Sequence, residues 1–160
     1  MKSWLNKLLR YKRLNLLASI SRVILGLVFI YASIDKIAFP HEFTKVIQGY
    51  DVLPDVLVRT VSIVLPWMEL ILGTFLVAGI LVKESAFILS GLVIIFMLAS
   101  GIQTTRGFVE DCGCFPEIGF LSTSDIWMIL IRDTLFLILG IFILAVEIIK
   151  SSNDISDRVN

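Results

Sequence analysis

Cys112 and Cys114 are the chain's only cysteines, and a single residue, Gly113, separates them. Thiols so close can form and break a disulfide, hold a soft metal ion, or do nothing. A disulfide between residues i and i+2 closes a very small ring, because the alpha carbons must come within about 7 Å at a preferred torsion. Gly113 is the residue type that best tolerates the bend. Strain raises a reduction potential, and strained, exposed disulfides tend to be labile or catalytic. A crosslink stabilises more as the loop it closes lengthens, so this pair is a poor structural staple. Glu110, Asp111 and Glu117 would raise a nearby thiol pKa, whereas Arg106 or a helix N-terminus would lower it. Three readings stay open: redox-active thiols, a passive disulfide and a metal site. Zinc would need two further ligands, and the single histidine, His41, is expected at the surface. Two thiolates suit Cu(I), but no metal is assigned.

A second group of chemical interest lies in otherwise apolar surroundings. Arg22, Glu69, Arg132 and Asp133 fall inside long hydrophobic runs, where ionisable groups are costly and face partners or water. Glu69 is expected about 12 Å below the outer end of its run, and Arg132 about 9 Å below the outer end of another. Opposite sign at similar depth predicts that Glu69 and Arg132 pair across helices, beneath the cysteine segment. Asp133 is expected to point away from Arg132, since adjacent helical residues diverge by about 100°, and to find Arg22 or Arg106 instead. Such charges can fix packing or line a polar pocket. Trp67, next to Pro66, reads either as an interfacial anchor or as a wall against which a quinone could stack. Pro66 is expected to kink its helix.

The elements that must position these groups are membrane helices. The 160-residue chain is 57% hydrophobic with zero net charge, and its mean hydropathy is +0.91. Four apolar segments, 14–34, 61–82, 85–105 and 126–146, are long enough to cross a hydrocarbon core of about 30 Å. Backbone groups in lipid must be satisfied within the segment, which makes each a helix, and the alternation of a membrane barrel is absent. The expected fold is all-α: a four-helix integral membrane bundle with short interfacial helices, forming one domain over 1–160. The first run is retained as a span because no small-x-small cleavage site follows it. Zero net charge and the lack of a basic, aromatic-interleaved strip argue against nucleic acid as a partner. The lipid bilayer is the environment the composition demands.

Basic residues set the expected orientation. Lys2, Lys7, Arg10, Lys12, Arg13, Lys83, Lys150 and Arg158 fall on one side, against Lys36, Lys45, Arg59 and Arg106 on the other. The positive-inside rule then makes both termini cytoplasmic and puts the Cys-Gly-Cys segment, 106–125, outside. That compartment is oxidising, which suits disulfide chemistry. Residues 1–13 are expected to form a basic interfacial helix. Phe43, Val46, Ile47 and Tyr50 predict a short helix after Pro40 in the first outer loop. Pro54-Asp55 is expected to open the second long helix, and Ser122 to Asp125 to cap the fourth.

An ordered set of residues resembles a known family. Arg22 to Gly26, Ala32 to Lys36, Pro40, Phe43, Tyr50, Leu53-Pro54, Leu65-Pro66-Trp67-Met68-Glu69, Arg106-Gly107 and Cys112-Gly113-Cys114-Phe115 follow one another over nearly the whole chain. Together they resemble the DoxX-like membrane proteins and, within them, the MauE branch of methylamine-utilisation proteins. The resemblance implies a four-helix protein of the bacterial cytoplasmic membrane. It also implies a link to maturation of disulfide-containing periplasmic proteins, with a fold similar in outline to DsbB and vitamin K epoxide reductase. Relatives of this kind often accompany thioredoxin-like domains. Pro116 stands where the branch commonly has glycine, and the chain lacks the second cysteine pair with which DsbB-like enzymes relay electrons.

The expected function is therefore thiol–disulfide exchange with a periplasmic thioredoxin-like protein or disulfide-containing client. Cys112 and Cys114 are the catalytic candidates, with Glu69, Arg106, Arg132, Asp133 and Arg22 in support. A quinone near Trp67 is an extension of this reading. The alternatives are a non-enzymatic membrane assembly or anchoring subunit of a redox complex and, less directly, a metal handler.

Overall fold

The computed structural model describes residues 2–49, 54–105 and 126–159. Five helices account for almost all of them: α1 (Lys2–Ala38), α2 (Pro40–Gly49), α3 (Asp55–Ala78), α4 (Val82–Thr105) and α5 (Ile126–Val159). No strand occurs among the described residues. Four of these helices carry apolar stretches long enough to span a bilayer: Leu14–Ala38, Val56–Ala78, Val82–Ile102 and Leu130–Ser151. The fold is the expected all-α bundle of a multi-pass membrane protein.

Hydrophobic patterning alone explains why the helices face as they do. Ile24, Leu27, Tyr31 and Ile34 of α1 point outwards, as do Ile63 and Ile71 of α3, Phe87 and Ile95 of α4, and Ile131 and Ile138 of α5. Buried among them are Ser33, Lys36, Glu69, Ser85 and Asp133. Apolar outside and polar inside inverts the pattern of a soluble bundle, and a lipid solvent makes it favourable. Several hydroxyls satisfy themselves on their own helix: Ser33 Oγ donates to the Ile30 carbonyl and Ser62 Oγ to that of Val58, both at 2.7 Å.

The long helices form a ring in which α1 packs on α3, α3 on α4, α4 on α5 and α5 on α1. The α1–α3 seam is the tightest. A Cβ on Gly26 would lie 2.8 Å from the Gly73 carbonyl oxygen, and one on Gly73 would lie 3.0 Å from that of Gly26. Small residues at such a crossing let two backbones approach, the means by which helices gain packing energy where no hydrophobic effect separates them from lipid. Beside this seam, Leu25, Phe29, Leu76, Ala86, Leu89, Val93 and Ile143 form the main core.

Local chemistry sets the connections. The amide of Phe39 still bonds to the Asp35 carbonyl at 3.0 Å, and Pro40 then opens α2 at the position where its missing N–H costs nothing. The expected short helix is there: Phe43 and Ile47 bury its apolar side against Val58 of α3. As expected, Pro54 precedes the first residue of α3, Asp55. This helix ends at Gly79, whose φ of 79° lies in the left-handed region and whose amide bonds to the Phe75 carbonyl at 2.9 Å. The turn falls earlier than hydropathy suggested, so α3 stops at Ala78 and α4 begins at Val82. Pro66 is buried within a continuous α3.

Two expectations about α1 are corrected. The basic leader is not a separate interfacial helix, because helix runs unbroken from Lys2 to Ala38. Nor does the first membrane helix stop at residue 34, since helix continues through Lys36 to Ala38. The expected cap at 122–125 lies outside the described residues.

Candidate functional site

The cluster is built from the buried stripes of the long helices. On α1 the stripe runs Leu25, Phe29, Ala32, Ser33 and Lys36, spaced i, i+4, i+7, i+8 and i+11 on one side of the helix. Lys36 extends that stripe by one turn, and the antiparallel α1–α3 register carries it opposite Glu69. Its Nζ donates to Glu69 Oε1 at 2.8 Å and to Oε2 at 2.7 Å. Both side chains are almost fully enclosed, Lys36 at 3% exposure and Glu69 at 2%. The same ammonium lies 5.1 Å from the Phe43 ring centre and 5.5 Å from that of Phe96. These ring faces add cation–π attraction to the buried ammonium. Lys36 thus joins α1 to α2, α3 and α4.

From the remaining side of the bundle comes Asp133 of α5. Its Oδ1 accepts from Arg132 Nε at 3.1 Å, while its Oδ2 is buried with no hydrogen-bond partner. Asp133 shares a small cavity with Lys36, Glu69, Phe29, Phe96 and Phe136. At about 20 Å³ it has room for a single water. The cavity offers such a water Asp133 Oδ2 and the Lys36–Glu69 pair, the two or more polar partners that a buried water requires. Two carboxylates and two cations balance formally, so the interior carries no net charge when all four are ionised.

The structure brings Glu69, Arg132 and Asp133 into one region but pairs them differently from the expectation. Glu69 bonds to Lys36, not Arg132, and the reason is helix length. Lys36 sits in α1 and faces inwards, not outside the membrane as the charge count implies. Arg132 and Asp133 do bond, although they are neighbours in sequence. Their Cβ directions diverge, but the Arg132 side chain is long enough for Nε to fold back onto the adjacent carboxylate.

Arg22 is not near Asp133. It precedes Lys36 by fourteen residues, about 21 Å along α1, and lies against Gly79 at the α3–α4 turn. Trp67 is half exposed on the outer side of α3, about 18 Å along the helix from Asp55, and does not line the ion cavity. His41 is exposed on α2. Cys112, Cys114 and Arg106 lie outside the described residues.

Lys36 is the residue that sequence reasoning missed. The signal was available in the spacing: Phe29, Ala32, Ser33 and Lys36 are i, i+3, i+4 and i+7 on one helical side.

Comparison with known proteins fixes the family. Residues 14–146 match the family described as Methylamine utilisation protein MauE. The chain is 32% identical over 123 residues to the Methylamine utilization protein MauE of Paracoccus denitrificans, covering 76% of this chain and 65% of that protein. It is 33% identical over 95 residues to the protein of the same name from Methylorubrum extorquens, covering 59% and 51%. A third, from Methylophilus methylotrophus, is 32% identical over 98 residues, covering 61% and 52%. The chain thus spans between about half and two thirds of the length of the curated relatives it matches. No solved structure matches it. With most of its length inside the matched region, this chain belongs to the MauE family.

Proposed function

We propose that this protein is a membrane thiol–disulfide redox protein that acts on an extracytoplasmic partner through Cys112 and Cys114. The observation that carries the reading is the placement of its only two cysteines, one residue apart, in the segment joining α4 to α5. That segment follows Thr105, the last residue of α4, and precedes Ile126, the first of α5, which lies seven residues and about 10 Å along α5 from Asp133. The buried ions therefore lie toward the end of the frame from which the cysteines are hung. Their part is positional: Lys36–Glu69 locks α1 to α3, and Arg132–Asp133 shapes the start of α5.

In the exchange step the Cys112 thiolate attacks one sulfur of a partner disulfide and expels the other as a thiolate. A Cys112–partner mixed disulfide results. Cys114, losing its proton, attacks Cys112 and releases the second partner thiolate. The partner gains two electrons and two protons, and this chain becomes the Cys112–Cys114 disulfide. The reverse sequence oxidises a partner dithiol. The partner is a thioredoxin-like protein or a disulfide-containing client in the periplasm, with both termini of this chain in the cytoplasm and the bilayer that of the bacterial inner membrane. The family's name points to methylamine utilisation, and the resemblance of the ordered motif set to DoxX-like proteins supports a role in maturing a redox enzyme such as one that consumes methylamine.

A non-enzymatic assembly or anchoring role is the second reading, favoured by the absence of another cysteine to pass electrons onward. Cys112→Ser and Cys114→Ser single variants separate the two. Exchange predicts that one of them accumulates a partner-linked species that reductant dissolves. If neither does, and the double variant supports normal periplasmic disulfide formation, exchange is excluded and the assembly role stands.

A further inference from the structure

At the opposite end of the bundle from the cysteine-bearing segment, a second and larger cavity of about 180 Å³ lies between α1, α4 and α5. Its walls are polar: Asn15, Ser19 and Arg22 come from α1, and Glu147 and Lys150 from α5. Val82 and Ile143 close its apolar side. The cavity lies level with the α3–α4 turn, where two spans end together, and so at the edge of the hydrocarbon.

Arg22 is the unusual member. Its guanidinium is pressed against Gly79, where an added Cβ would lie 2.9 Å from Nη1 and 3.2 Å from Nη2. Gly79 thus serves both the left-handed cap of α3 and the seat of the Arg22 head group. Nε is buried and has no hydrogen-bond partner among the described residues. The carboxylate in the cavity wall, Glu147, is turned to Lys150 at 3.6 Å. A buried guanidinium nitrogen without an acceptor is costly, and the fork of donors to which it belongs matches the oxygens of a phosphate.

We propose that this cavity binds a phosphate group, that of a phospholipid headgroup in the leaflet at the α3–α4 turn, with Arg22 as its principal ligand. Lys150 at the rim adds a second positive charge. The cavity is several times the volume of the ion cavity and opens where headgroups lie, so a lipid can supply the phosphate without leaving the membrane.

The test uses the full chain in a neutral detergent, with thermal stability measured while phosphatidylglycerol or inorganic phosphate is titrated in. Wild-type protein is expected to be stabilised by the lipid, with half-effect at a concentration at least tenfold lower than for inorganic phosphate. Arg22→Gln should weaken the lipid effect about tenfold, and Arg22→Lys less. Ser19→Leu keeps Arg22 but fills the exposed rim, and it should weaken the effect even if Arg22→Gln folds poorly. Lys83→Gln, an exposed basic residue near the turn but outside the cavity, should change nothing. Equal lipid stabilisation in wild type, Arg22→Gln and Ser19→Leu overturns the site. Equal potency of inorganic phosphate, lost in the variants, overturns the lipid as its source.

Discussion

The two ends of this bundle answer the same problem in opposite ways. Near the cysteine-bearing end, Lys36 and Glu69 neutralise each other across α1 and α3 at 2.7 Å, with aromatic rings completing the shell. Near the α3–α4 turn, Arg22 has no such partner and instead faces a roomy polar cavity. A cation in a membrane bundle is therefore either satisfied internally, where it fixes helix register, or left facing a space that something else can fill. The first arrangement is architectural and the second invites a ligand.

The largest effect should come from breaking the internal pair alone. Glu69→Ala leaves the Lys36 ammonium buried without its carboxylate, a loss of about 3–5 kcal/mol, whereas replacing both residues with Met and Leu should be close to neutral. Unfolding in mixed micelles measures both. A double variant as unstable as Glu69→Ala would mean that the pair contributes more than mutual neutralisation.

The α1–α3 crossing comes next. Gly26→Val inserts atoms where a Cβ alone would stand 2.7 Å from Val77 Cγ2, so it should cost about 1–3 kcal/mol and loosen the seam that sets the Lys36–Glu69 register. The same measurement, with crosslinking between α1 and α3 as a check on register, decides it. The smallest effect is expected at Trp67, whose ring is half exposed and lines neither cavity. Trp67→Leu should shift stability by no more than about 0.5 kcal/mol. A loss of partner oxidation with stability intact would instead give Trp67 the redox role that its position on α3 does not suggest.

How far the sequence could be read follows from the same contrast. The four spans were legible because each depends on a local run of apolar residues, and α2 because Phe43 and Ile47 repeat at helical spacing. The all-α bundle followed from these runs. Charge pairing was not legible, because it depends on register between helices distant in sequence. Depth arguments matched Glu69 with Arg132, but the close Gly26–Gly73 crossing slides α1 along α3 until Lys36 reaches the carboxylate first. Lys36 itself was not legible from hydropathy, because it lies just past the end of the apolar run 14–34. Continuing the inward stripe of Phe29, Ala32 and Ser33 by one turn would have found it. Arg22 was grouped with the other intramembrane charges by type, while helix geometry separates it from Lys36 by about 21 Å.

The central claim concerns Cys112 and Cys114, and their oxidation state in intact cells tests it most directly. A membrane-impermeant maleimide of known mass, applied to whole cells before and after mild reductant, counts the free thiols on the outer surface. The resting oxidised protein should show no labelling, take two labels after reduction, and return to the unlabelled form once the partner or oxidant is restored. Thiols that label only after the membrane is opened, or that stay unchanged through reduction and reoxidation, would contradict it.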